Sequence, residues 1–97
     1  MAEIKKYKVW FYGTGSVEQR AQISLYDANG KIFAHVAFYD SPLTDSIHNN
    51  VIYGSMHTSL LQSVLDVLRN EAPVQAYWAS NTLYLTTDLE LTGEAEA

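Results

Sequence analysis

The chain has 97 residues, 47% of them hydrophobic, with no cysteine and a formal net charge of −5. This bounds one domain with one modest core, too apolar for a disordered segment, and it excludes a disulfide framework, a thiolate zinc site and a thiol nucleophile. The charge is uneven: residues 1–31 hold five basic against three acidic side chains, whereas residues 32–97 hold Arg69 alone against eight acidic ones.

An acidic chain is a poor electrostatic footprint for nucleic acid, whose binding draws on neutralised phosphates. The first residues carry lysines but no apolar run, and nowhere do about 18 apolar residues stand together as a spanning helix requires. The expectation is a soluble cytoplasmic protein with no membrane contact, folded over residues 1–91 and followed by an acidic, disordered tail at 92–97.

Tyr7 to Tyr12 is aromatic and β-branched and runs into Gly13-Thr14-Gly15-Ser16, so it reads as a strand entering a turn. The glycines do not make a phosphate loop, because the next segment is a strand and not the helix whose first amides such a loop needs. Lys5, Lys6 and Lys8 read as lysines that discourage pairing at an edge.

Val17 to Asp27 alternates, and Ile32 to Tyr39 follows it after Ala28-Asn29-Gly30-Lys31. A two-residue Asn29-Gly30 turn sets Leu25 opposite Ala34, Ile23 opposite Val36 and Ala21 opposite Phe38, which gathers the apolar residues on one face. A type I turn with a glycine bulge, closing Asp27 on Lys31, would scatter them, so the two-residue turn is the expectation. The second face then holds Tyr26 opposite Phe33, Ser24 opposite His35, Gln22 opposite Ala37 and Arg20 opposite Tyr39. With Val9 and Phe11 turned inward, Trp10 and Tyr12 join it.

Asp40 to Gly54 reads as a loop of about 15 residues, long enough to be functional or mobile. From Met56 to Asn70 the apolar residues fill one half of a helical wheel, with Ser55 placed to cap the start and Asn70 and Pro73 to end it. Val74 to Ala79 and Thr82 to Thr87 form a hairpin about Ser80-Asn81, with Ala76, Trp78, Leu83 and Leu85 suited to the core. Leu89 and Leu91 extend its last strand.

The fold class that follows is α+β: an antiparallel sheet in β-β-β-α-β-β order with one amphipathic helix on one face. The other face is left uncovered, and it carries Trp10, Tyr12, Arg20, Tyr26, Phe33, His35, Tyr39, Tyr77 and Tyr84. An aromatic area of that size exceeds the few hundred Å² or so of a monomer's largest apolar patch. Tyrosine and tryptophan suit interfaces because each joins apolar area to a hydrogen-bonding tip.

No catalytic constellation is legible. His35, His48 and His57 lack the spacings that would bring two of them together locally, His57 reads as a core histidine, and Asp40 and Asp45 read as turn caps. The expectation is therefore no enzyme, no cofactor and no metal. The function expected is a small interaction module that forms a homodimer or holds a protein partner through the aromatic face. The alternative is single-stranded nucleic acid stacked on that face, with the N-terminal lysines meeting phosphates. A third reading places a ligand or a reaction at the 40–54 loop.

Overall fold

In a computed structural model, residues 2–13, 19–41 and 43–87 are described. The expected Gly13–Ser16 turn lies mostly outside them, as do the start of the second strand at Val17, the extension through Leu89 and Leu91, and the 92–97 tail. The chain is α+β, with strands β1 (Ala2–Glu3), β2 (Lys6–Phe11), β3 (Gln19–Tyr26), β4 (Ile32–Tyr39), β5 (Ser46–His48) and β6 (Val51–His57). A 3-10 turn (Thr58–Leu60) then leads into the helix α1 (Leu61–Asn70), and β7 (Val74–Ala79) and β8 (Thr82–Thr87) complete the fold.

The strands divide between two sheets, of five strands in the order β2-β3-β4-β6-β5 and of three in the order β1-β7-β8. The closing hairpin therefore leaves the meander's sheet and builds a second one with the start of the chain. The three-stranded sheet is antiparallel throughout, whereas β4 and β6 pair in parallel.

The register expected between β3 and β4 is present, with Leu25 opposite Ala34, Ile23 opposite Val36 and Ala21 opposite Phe38. The turn that produces it is the one rejected from sequence. Asp27 N donates to Lys31 O (2.9 Å), Gly30 N donates to Asp27 O (3.0 Å), and Gly30 has positive φ. A type I turn with a glycine bulge slips the register by one residue, and a second irregularity beside it, with Tyr26 opposite Ile32, returns it. Phe33 is the residue skipped, and it packs against the core and not on the outer face. A matching irregularity sets Gln19 opposite Tyr39 and leaves Arg20 out of the pairing.

The expected 40–54 loop contains a hairpin. Asn49 and Asn50 both adopt positive φ (52° and 65°), as a two-residue type I′ turn requires, and they join β5 to β6. Strand β6 runs on through Met56 and His57 because pairing with β4 sets Met56 beside Phe38. The helix consequently starts later than its apolar periodicity suggests. His57 caps the 3-10 turn by accepting from Ser59 N at its Nδ1 (3.0 Å), while the Ser55 hydroxyl accepts from Leu43 N (2.8 Å). The hairpin about Ser80-Asn81 forms as expected, both residues having positive φ.

One core lies between the layers. Ala21, Ile23, Leu25, Ala34, Val36 and Phe38 are fully buried on one face of the five-stranded sheet. Leu65 from α1 and Ala76 and Leu83 from the second sheet meet them, with Leu61, Val64, Leu68, Trp78 and Leu85 packed alongside. Asp45 ties the two sheets by accepting from Ser55 N (2.7 Å) and from Leu83 N (2.9 Å). Among the described residues no helix is long and apolar enough to cross a membrane.

Candidate functional site

The strand alternation that buries Ala21, Ile23 and Leu25 turns Gln22 and Ser24 to the opposite side, beside Lys8 and Trp10 of β2 and His35 and Ala37 of β4. Parallel pairing adds Tyr53 beside His35 and Ser55 beside Ala37. These side chains make the outer face of the five-stranded sheet. Both covering layers, α1 and the three-stranded sheet, pack on the other side.

His35 stands at the centre of this face. Its ring stacks on Tyr53 with centroids 5.3 Å apart and planes at 24°, and His48 is tilted against the same tyrosine at 5.8 Å. A directional chain of hydrogen bonds reaches it. Tyr39 Oη donates to Gln19 Oε1 (3.3 Å), Gln19 Nε2 to Gln22 Oε1 (3.5 Å), and Gln22 Nε2 to His35 Nδ1 (3.1 Å). Ser24 Oγ lies 3.1 Å from the same nitrogen. An amide donor at Nδ1 requires a lone pair there, so the proton of the neutral ring sits on Nε2. Burial pushes the imidazole below its ordinary pKa of 6.5, toward the same neutral form.

Leu43, Thr44 and Ser46 join residues of this face in lining a cleft of about 230 Å³. Gln22, His35, Tyr39 and Tyr53 line its floor and sides, with Thr44 and Ser55 adding hydroxyls. The lining has no acidic, lysine or arginine side chain: it offers amides, hydroxyls and aromatic rings, with apolar surface from Ala37 and Leu43.

The residues expected on one aromatic face separate into groups. His35 and Tyr39 meet in the cleft, and Trp10 neighbours it through Gln22. Tyr12 follows β2 and is exposed, its N–H donating to Arg20 O (3.1 Å). Tyr26 lies at the far end of β3, opposite Ile32. Phe33 faces the core side, and Tyr77 and Tyr84 stack on each other at 5.1 Å on the second sheet. Tyr53 is the functional-face residue that sequence reasoning missed. Its signal was Val51-Ile52-Tyr53, the one apolar run in the supposed loop.

Arg20 is also committed elsewhere. Its Nε and Nη2 both donate to Asp40 Oδ2 (3.0 and 2.7 Å), and Thr58 Oγ1 donates to Asp40 Oδ1 (3.0 Å). Hydrogen bonds from Arg20 first and Thr58 second hold the Asp40 carboxyl below the usual range, and the same pairing raises the arginine.

These contacts fix what the site can do chemically. Ser24 is 2% exposed, so the hydroxyl beside His35 cannot reach a substrate. Asp40 and Asp45 are spent on Arg20, Thr58 and two backbone amides, and no group of three or more metal-binding side chains gathers among the described residues. The arrangement stacks and donates or accepts hydrogen bonds. Comparison with family models, with curated proteins and with solved structures gives no match for the chain.

Proposed function

We propose that the chain is a non-enzymatic interaction module that holds a protein partner on the outer face of its five-stranded sheet. One observation carries the reading: α1 and the second sheet both cover the inner face, leaving Trp10, His35, Tyr39 and Tyr53 on a face over which the described residues lay no helix or sheet. Aromatic rings joined to hydrogen-bonding tips are the side chains that dominate protein interfaces, and a neutral cleft of about 230 Å³ suits one inserted partner side chain.

Nucleic acid is the weaker reading. Stacking on sheet aromatics would serve unpaired bases. The phosphates, however, would need cations, and three of the five basic residues in the first 31 have internal partners: Lys5 with Glu3, Arg20 with Asp40, and Lys8 over the Trp10 ring at 4.2 Å.

Selection of binders from a displayed peptide library, followed by amide mapping, tests the proposal. Binders that perturb Gln22, His35, Ala37 and Tyr53, and that fail on Tyr39→Ala and Tyr53→Ala, support it. Binders that map to the second sheet, or binding of single-stranded oligonucleotides that weakens steeply with salt, overturn it.

A further inference from the structure

The edge of the five-stranded sheet is a different surface from its face. Among the described residues β2 pairs with β3 alone, so one side of its backbone has no ladder partner. The Tyr12 amide faces β3, donating to Arg20 O (3.1 Å). By the alternation of an antiparallel ladder, the N–H and C=O groups of Tyr7, Val9 and Phe11 point away from it. The end of this strand and the residue after it carry three consecutive exposed aromatics, Trp10 (44%), Phe11 (67%) and Tyr12 (38%).

We propose that β2 is a dimerisation edge, along which two copies of the chain pair antiparallel about a two-fold axis through Val9. The sequence Lys6-Tyr7-Lys8-Val9-Trp10-Phe11-Tyr12 is self-complementary in that register. Val9 meets itself, Lys8 meets the partner's Trp10, Tyr7 meets the partner's Phe11, and Lys6 meets the partner's Tyr12. Directly opposed residues share a face, so the inner and outer faces of both sheets stay continuous. Every outward backbone group of Tyr7, Val9 and Phe11 finds one on the partner.

Charge selects this register over its neighbours. An axis through Tyr7 opposes Lys6 to the partner's Lys8, and an axis through Lys8 opposes that lysine to itself. An axis through Trp10 leaves Lys6 and Tyr7 beyond the pairing. With the axis at Val9 each lysine lies against an aromatic ring, the contact Lys8 already makes with Trp10 of its own strand at 4.2 Å. The lysines thus block the wrong registers and leave one open.

Solution mass over a wide concentration range, with two variants at one position, tests the assignment. Wild type forms a dimer. Trp10→Lys places like charges opposite one another at two symmetric points and weakens the dimer by about a hundredfold, whereas Trp10→Glu meets the partner's Lys8 and keeps a salt-sensitive dimer. Trp10 is 44% exposed, so both variants fold, which circular dichroism checks. Because the chain has no cysteine, an oxidised equimolar mixture of Lys8→Cys and Trp10→Cys reads the register directly. The mixed disulfide forms in preference to either homodisulfide. A wild type monomeric at millimolar concentration, equal dimerisation of the two Trp10 variants, or homodisulfides in excess each overturns the proposal. Dimerisation unaffected by Tyr39→Ala and Tyr53→Ala separates this edge from the partner-binding face.

Discussion

A Cβ built on Gly54 would lie 2.5 Å from Cδ2 of Leu83 and 3.1 Å from its Cβ. Strand β6 can approach β8 this closely because Gly54 presents a hydrogen where any other residue presents a Cβ carbon. Gly54→Ala should destabilise the domain by about 1 to 3 kcal/mol, the usual cost of overpacking. Leu83→Ala alone should cost about 2 to 5 kcal/mol. Because each change relieves the other's fault, the double variant should fall short of the sum of the two in urea unfolding. Strict additivity would mean that the strands separate without strain.

Asp45 offers a second measurable link between the sheets. Hydrogen bonds to a charged acceptor are worth about 1.5 to 3 kcal/mol each, and this carboxylate accepts two from backbone amides on different sheets. Asp45→Ala should cost about 3 kcal/mol and should speed hydrogen exchange at Leu83 and Ser55 above the rest of their strands. Uniform loss of protection would place the effect in global stability alone.

For His35 the sign of the pH dependence follows from burial. The folded state holds the imidazole below its ordinary value of 6.5, so between that lowered value and 6.5 the unfolded chain binds more protons. Stability should therefore rise with pH through this window and level off above it. Chemical denaturation across the window should show that slope in the wild type and lose it in His35→Gln. An unchanged slope would assign it to another group.

The Arg20–Asp40 pair is exposed, with side chains 53% and 45% accessible, and its net effect on stability should be small. Its signature is titration. The Asp40 carboxyl should move up toward the ordinary range in Arg20→Ala, followed by NMR, and by a smaller step in Thr58→Val, matching the order of their contributions. The folded carboxyl's value is depressed, so whatever stability the pair contributes is present above the unfolded value and is lost as pH falls through the folded one.

Truncations along α1 should rank by burial. Leu65 is 4% exposed whereas Val64 and Leu68 are half-buried, so Leu65→Ala should cost about 3 to 5 kcal/mol and each of the others less. Phe33→Ala should lower stability as well, because that ring packs on the core. Unfolding midpoints equal to wild type for Phe33→Ala would return the ring to the outer face.

Much of this fold is written in local pattern. Strict alternation in Ala21-Ile23-Leu25 and Ala34-Val36-Phe38 forces the register whatever turn joins them, and for that reason the register was legible although the turn was misread. Two one-residue irregularities cancel, and only the displaced Phe33 records them. Met56 satisfies both the helical period of the segment after it and the two-residue period of Ile52 and Gly54 before it. Parallel pairing with β4, which no local pattern encodes, decides between them. The division into two sheets was hidden for a related reason: alternation tells a strand which side to bury and not which neighbour to take. Tyr77 and Tyr84 thus resembled Tyr39 in sequence and lie on another layer. His35 and Tyr39 were legible as outward-facing residues. The cleft around them was not, since Leu43, Thr44, Ser46 and Tyr53 of its lining come from a segment whose Pro42, asparagines and aspartates masked a hairpin.

The five-stranded sheet is drawn entirely from residues 6–57, and among the described residues the side chains that cover its inner face come, apart from Ile4, from residues 61–85. The sheet therefore precedes its cover in the chain. A chain cut just after His57 keeps every strand of the sheet while Ile23, Val36 and Phe38 have only water or other chains to meet, and it would be the species most prone to aggregate and most in need of a chaperone.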